Sequence, residues 1–112
     1  MTTNAEPGLA QEPTQRPPAG QPPLTDEQAH QLASQVPEWQ LGPDRLEREL
    51  RFRGFDEAMT FVNRVAAIAA AADHHPDIAI SYNKVRLALS THAIGGLSQN
   101  DFIVAARIDG VL

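Results

Sequence analysis

The chain has 112 residues, a formal net charge of −5 and no cysteine. That length leaves room for one domain, and the missing thiols exclude disulfide frameworks, thiolate zinc sites and cysteine nucleophiles. The acidic balance argues against direct nucleic-acid binding, which draws mainly on phosphate neutralisation.

Residues 1–23 hold Pro7, Pro13, Pro17, Pro18, Pro22 and Pro23 among Gln, Thr, Gly and Glu. With almost no apolar side chains, such a stretch has little to offset the entropy of ordering its backbone. Its composition predicts a disordered Pro-rich tail, and the Pro17–Pro18 and Pro22–Pro23 pairs are weak as docking motifs. The opening MTTNAEPGLA has neither a basic n-region nor an apolar h-region. The longest apolar run, Val65 to Ala72, is too short to span a bilayer. A cytoplasmic protein is the expectation, with no membrane association.

Residues 24–112 carry the folded domain. Leu24-Thr25-Asp26-Glu27-Gln28 reads as a hydrophobic residue, a Thr cap and a Gln three residues on, which is the capping-box pattern. Ala29, Leu32, Ala33 and Val36 follow at helical spacing, and Pro37 ends the helix. Trp39 and Leu41 form a short extended piece, broken by Gly42-Pro43-Asp44. Leu46, Leu50 and Phe52 then alternate with Glu47, Glu49 and Arg51 as in a half-buried strand, giving a hairpin.

A longer helix is predicted from about Phe55 to Ala72, with Asp56 and Glu57 favoured in its first turn by the helix dipole. It must stop before Pro76, because the residue preceding a proline is pushed out of the α region. Past Pro76 the period changes to two. Ile78, Ile80 and Tyr82 make one strand, Val85, Leu87 and Leu89 another, with Asn83-Lys84 as the turn. Gly95-Gly96 is a break. Ser98 caps a last helix with Asp101 at its third position, and Phe102, Ala105, Ala106 and Ile103 or Ile108 face the core. The order is α-β-β-α-β-β-α. Paired strands separated by helices predict an α+β fold, an antiparallel four-stranded sheet with helices packed on one face. So small a core also favours oligomers.

Three of the four histidines fall in one short window, His74 and His75 at the helix-to-strand junction and His92 at the expected end of the last strand. Imidazole titrates near neutrality, so the cluster suits proton transfer. His30, on the first helix, reads as a surface residue. Asp101 serves equally well as a helix N-terminal carboxylate or as a partner for a histidine. Metal binding is disfavoured: adjacent histidines in extended chain point to opposite faces, and no His-Glu-x-x-His segment occurs. Phosphate-loop and serine-hydrolase motifs are also missing.

The string Asp73-His74-His75-Pro76-Asp77, then Tyr82, Ser90-Thr91-His92, Gly95-Gly96-Leu97-Ser98 and Asp101-Phe102, resembles the pterin-4a-carbinolamine dehydratase family. Trp39 and the Phe-x-x-Phe-x-x-Ala-Met run from Phe52 to Met59 extend the resemblance over nearly all of 25–109. It implies an antiparallel four-stranded sheet, dimers or tetramers, and loss of water from 4a-hydroxytetrahydrobiopterin or a related 4a-hydroxypterin to give quinonoid dihydropterin, in tetrahydrobiopterin recycling. No metal or separate cofactor is implied. His74, His75 and His92 match the family's histidines and would divide the acid and base roles. Asp101 matches its aspartate, and Pro76, Asp77 and Tyr82 complete the motif as supporting or substrate-binding positions. The pattern departs at Ala70 and Ala93, where acidic residues are usual, and at Ile78, usually aromatic. Some relatives are protein-binding modules, a dimerisation cofactor for a homeodomain transcription factor or a Rubisco assembly factor, so a protein partner is the alternative expectation.

Overall fold

Helix α1 (Asp26–Ala33) begins where the capping box predicts. Thr25 Oγ1 accepts from the Gln28 amide at 3.2 Å, and Gln28 Oε1 accepts from the Thr25 amide at 2.9 Å. Two of the four donors that a helix start leaves unpaired are thereby satisfied. The helix stops three residues earlier than the apolar spacing suggests. Gln35 and Val36 instead bond three residues back, each at 3.0 Å, and this tighter turn still buries Val36 ahead of Pro37.

A computed structural model describes residues 8–17 and 20–112. After α1 come β1 (Gln40–Leu41), β2 (Leu46–Arg51), α2 (Phe55–Ala72), β3 (Asp77–Ser81), β4 (Lys84–Leu89) and α3 (Gln99–Asp109). The fold is therefore α+β in the predicted order. The strands form one antiparallel sheet, β1-β2-β4-β3, in which the two hairpins join through β2 and β4 with Leu46 opposite Leu89 and Arg51 opposite Lys84.

That register aligns the apolar rows. Leu46, Val85, Leu87 and Leu89 are buried on one face of the sheet, with Ala58, Phe61, Val65 and Ala72 of α2 and Phe102, Val104 and Ile108 of α3 in the same core. Burial of each such large side chain is worth about 1.5–3 kcal/mol against leaving it wet. Glu47, Glu49 and Arg86 occupy the opposite, helix-free face. Arg48 breaks the pattern, because period two puts it in the inward row between Leu46 and Leu50. Asp109, at the end of α3, meets it there: Asp109 Oδ1 accepts from Arg48 Nη1 at 2.6 Å and from Trp39 Nε1 at 2.8 Å.

Two sequence expectations shift by a residue or more. The second hairpin turns at Tyr82-Asn83, not Asn83-Lys84, and Tyr82 takes the positive φ of 55°. Asn83 fixes this turn, donating from Nδ2 to the Phe52 carbonyl at 2.9 Å and accepting the Phe52 amide at 2.8 Å. His92 does not end the last strand; it opens a 3₁₀ turn, His92–Ile94, that Gly95 closes at a φ of 71°. Gly96 then lets the chain before α1 pass close by, since a Cβ there would lie 2.8 Å from Pro23 Cβ.

Composition predicts disorder up to residue 23, but residues 8–17 lie against α3. A 3₁₀ turn, Leu9–Gln11, buries Leu9 in the core. Arg107 donates to the carbonyls of Ala10 at 3.1 Å and Glu12 at 2.7 Å. The reason lies in single side chains rather than composition: one leucine supplies the apolar anchor, and partners on α3 satisfy the polar backbone. Under this strap α3 is buried on nearly every side, from Asn100 through Ala105, so Val104 joins the predicted Phe102 and Ala105, and Ile103 and Ile108, expected as alternatives, are both buried. Residues 1–7 and 18–19 of the expected tail lie outside the described residues.

Candidate active site

The site begins at the end of α2. Asp73 adopts the left-handed conformation (φ 51°, ψ 43°), its amide bonds Ala70 O at 3.3 Å, and the next amide, of His74, bonds Ala69 O at 3.2 Å. This is the Schellman arrangement, with Asp in the position glycine usually takes. It reverses the chain before Pro76 and turns His74 toward the start of α3.

There His74 Nε2–H donates to Asp101 Oδ1 at 2.5 Å. The His74 side chain is 11% exposed and that of Asp101 fully buried. The second carboxylate oxygen, Oδ2, accepts from Thr91 Oγ1 at 2.7 Å and from the Ser98 amide at 2.9 Å. Ser98 Oγ sits 2.7 Å from Thr91 Oγ1 and can donate to it. Every member of this buried network has a partner, so the carboxylate is held by three donors and holds the imidazole in turn.

His74, His75 and His92 all line one cavity of about 590 Å³, together with Ala71, Ala72, Asp73, Ser90, Thr91, Ala93 and Asn100. His74 sits deepest. His75 and His92 are exposed at the mouth, as Asp73 is. A side chain oriented by a buried acid, with two exposed imidazoles lining the same cavity, suits proton exchange with a bound ligand. Among the described residues no group of three or more His, Cys, Asp or Glu is arranged to hold a metal ion.

The other expected site residues lie apart from this cavity. Pro76 is buried and Asp77 exposed at the start of β3, and neither lines it. Tyr82 is at the far end of β3, roughly 16 Å along the strand at 3.3 Å per residue, and its hydroxyl lies 3.9 Å from a Cβ built on Gly54. Sequence reading missed Thr91, Ser98 and Asn100 as parts of the site, although the Ser98-to-Asp101 spacing pointed to the cap they share. It also missed Thr14, Gln15, Arg16 and Pro17, which form the remaining wall.

The fold is α+β, and its three clustered histidines line one cavity. Among known proteins it has a clear place: the chain belongs to the pterin 4 alpha carbinolamine dehydratase family, whose model matches residues 22–111. A protein of Nitrosomonas eutropha provisionally named pterin-4-alpha-carbinolamine dehydratase, a hydro-lyase name, is 47% identical over 94 residues, covering 83% of each chain. One so named from Picosynechococcus sp. is 49% identical over 86 residues, 77% of this chain and 94% of its own. The crystal structure of a transcriptional coactivator/pterin dehydratase from Brucella melitensis superposes with a TM-score of 0.75 at 27% identity, over 80% of this chain and 97% of that one. A pterin dehydratase-like protein identified as a RuBisCO assembly factor in the alpha-carboxysome shares the fold, with a TM-score of 0.55 at 22% identity over 65% of this chain and 84% of that one. Among the described residues no helix is long and apolar enough to cross a membrane.

Proposed function

We propose that this chain dehydrates a 4a-hydroxytetrahydropterin to the quinonoid dihydropterin, with His74, His75 and His92 as its proton donors and acceptors. The reading rests on one observation, the His74–Asp101 pair at the floor of a cavity whose mouth carries two further imidazoles. In the reaction an acid protonates the 4a hydroxyl as the C4a–O bond breaks. A base takes the proton from the adjacent ring nitrogen, and the electron pair left behind closes the C4a=N double bond. The proton taken from nitrogen balances the one given to the hydroxyl, so water is the only group lost and no electron acceptor is needed. With Nε2 engaged by Asp101, Nδ1 of His74 is the nitrogen that exchanges a proton with the ligand, and His75 and His92 share the complementary task. No metal or cofactor enters the scheme.

The test is dehydration of a 4a-hydroxypterin measured against its spontaneous rate. A general acid or base contributes about 10²–10⁴-fold, so wild type should accelerate the reaction and His74→Ala should lose most of that gain. An unaccelerated rate with wild type, or full activity in His74→Ala, would defeat the proposal.

A specific observation favours self-association as well. Ile78 and Ile80 stand in register with the buried Leu87 and Val85, yet they are 37% and 39% exposed, because the helices do not extend over β3. Apolar residues on an outer strand with a free edge call for a cover. We propose a second copy of the chain, giving a homodimer or homotetramer. Sedimentation of wild type and Ile80→Lys checks this: the variant should shift toward monomer, and a wild-type monomer at micromolar concentration would refute it. A protein partner of another kind, as in the coactivator and assembly-factor relatives, would appear as a stoichiometric complex in which dehydration is not measurable.

A further inference from the structure

Residues 8–17 precede the 22–111 stretch that matches the family model, yet Thr14, Gln15, Arg16 and Pro17 wall the histidine cavity. Their backbone is fixed next to that wall. Thr14 Oγ1 donates to the Ala72 carbonyl at the end of α2 at 3.1 Å. Asn100 grips Gln15 from both sides, its Nδ2 donating to Gln15 O at 2.6 Å and its Oδ1 accepting from Gln15 N at 3.0 Å. Arg16 comes directly after that clamp, so its Cα is set relative to the histidines while its side chain, 89% exposed, stays free to move.

Arg16 is the only lysine or arginine among the described residues that line this cavity. Its contact with Asp73, at 3.7 Å between side chains 89% and 80% exposed, is solvent-screened and weak, so little is lost if the guanidinium turns to a ligand. A cavity of about 590 Å³ falls within the range that accepts drug-sized ligands and has room beyond a bicyclic pterin ring. In a chain of net charge −5, a cation at the mouth is also what draws in an anionic ligand that the rest of the surface repels.

We infer that the strap is a specificity wall of this site, and that Arg16 selects reduced pterins whose ring substituent carries a phosphate or carboxylate. The guanidinium fork matches both groups in bidentate geometry. The inference builds on the proposed pterin site but concerns recognition, not turnover.

Calorimetric titration of the full chain separates the two. The ligands are 6-hydroxymethyl-7,8-dihydropterin, the same pterin esterified with phosphate, and 7,8-dihydrofolate as the carboxylate-bearing form. Wild type should bind at least one anionic form about 10-fold more tightly than the neutral one, with the preference shrinking as Debye screening rises with salt. Which anion gains more distinguishes phosphate from carboxylate. Arg16→Gln, at an exposed position where folding is not at risk, should abolish the preference by weakening the anionic forms more than the neutral one. Equal affinities in wild type, a preference that survives in Arg16→Gln, or no binding of any of the three would overturn the inference. Charge-selective binding without accelerated dehydration would leave it standing and remove the proposed activity. Dehydration indifferent to substituent charge would do the reverse.

Discussion

Asn100 and Gln15 are joined by a two-bond clamp across 85 residues of sequence, a side-chain amide bonding both the N–H and the C=O of one backbone unit. Asn100 is itself buried beneath the strap. Replacing it with alanine removes both bonds, and each such bond contributes about 0.5–1.5 kcal/mol net. Asn100→Ala should therefore lose about 1–3 kcal/mol in urea unfolding, and amide exchange should speed up at residues 9–16 before it does in the sheet.

Asp101→Asn places an amide NH₂ where the structure presents donors from His74, Thr91 and Ser98. One donor then faces another in a dry site, at a cost of about 1–3 kcal/mol. Denaturation curves should show that loss. The dehydration rate should fall further than stability explains, because His74 loses its orienting acceptor.

His75 and His92 offer a cleaner separation of chemistry from folding. Both are exposed at the cavity mouth, and exposed substitutions commonly change stability by no more than about 0.5 kcal/mol. His75→Ala and His92→Ala should unfold like wild type. If they exchange protons with the ligand, each should lower kcat by about 10²–10⁴-fold. Wild-type turnover in both would confine the chemistry to His74.

Trp39 is the one tryptophan of the chain, and its indole N–H shares Asp109 Oδ1 with Arg48. Asp109→Ala strands a guanidinium whose side chain is only 18% exposed. Hydrogen bonds to charged groups contribute about 1.5–3 kcal/mol, and partial exposure puts the expected loss near the lower end. Trp39 fluorescence should report it directly, with a red-shifted native emission and an earlier unfolding midpoint.

Much of this architecture was legible because local rules and the fold agree. Thr25 and Ser98 cap where their spacing with Gln28 and Asp101 says they should, and α2 occupies the predicted span because Asp73 and Pro76 together stop it. The three histidines were found from their spacing, and their convergence on one cavity follows from the Asp73 reversal and the 3₁₀ turn at His92. What was hidden depends on partners distant in sequence. Period two places Arg48 in the inward row, but nothing near it announces the acceptor it meets there, Asp109. Leu9 and Thr14 look like members of a polar tail until Arg107, Asn100 and Ala72 are set beside them. Tyr82 reads as a strand residue by periodicity, but Asn83 bonds Phe52 and so moves the turn one place back, far from the histidines.

The carboxylate of Asp101 divides its labour: one oxygen orients His74, and the other starts α3 through Ser98 and Thr91. Inheritance follows from that division. A descendant released from dehydration and recruited to dock another protein would still need the helix start, and would keep the aspartate for it. The imidazoles at the mouth carry no comparable structural duty and would be free to drift. Across related chains the aspartate is therefore a record of folding, and His75 and His92 are the better record of whether chemistry was retained.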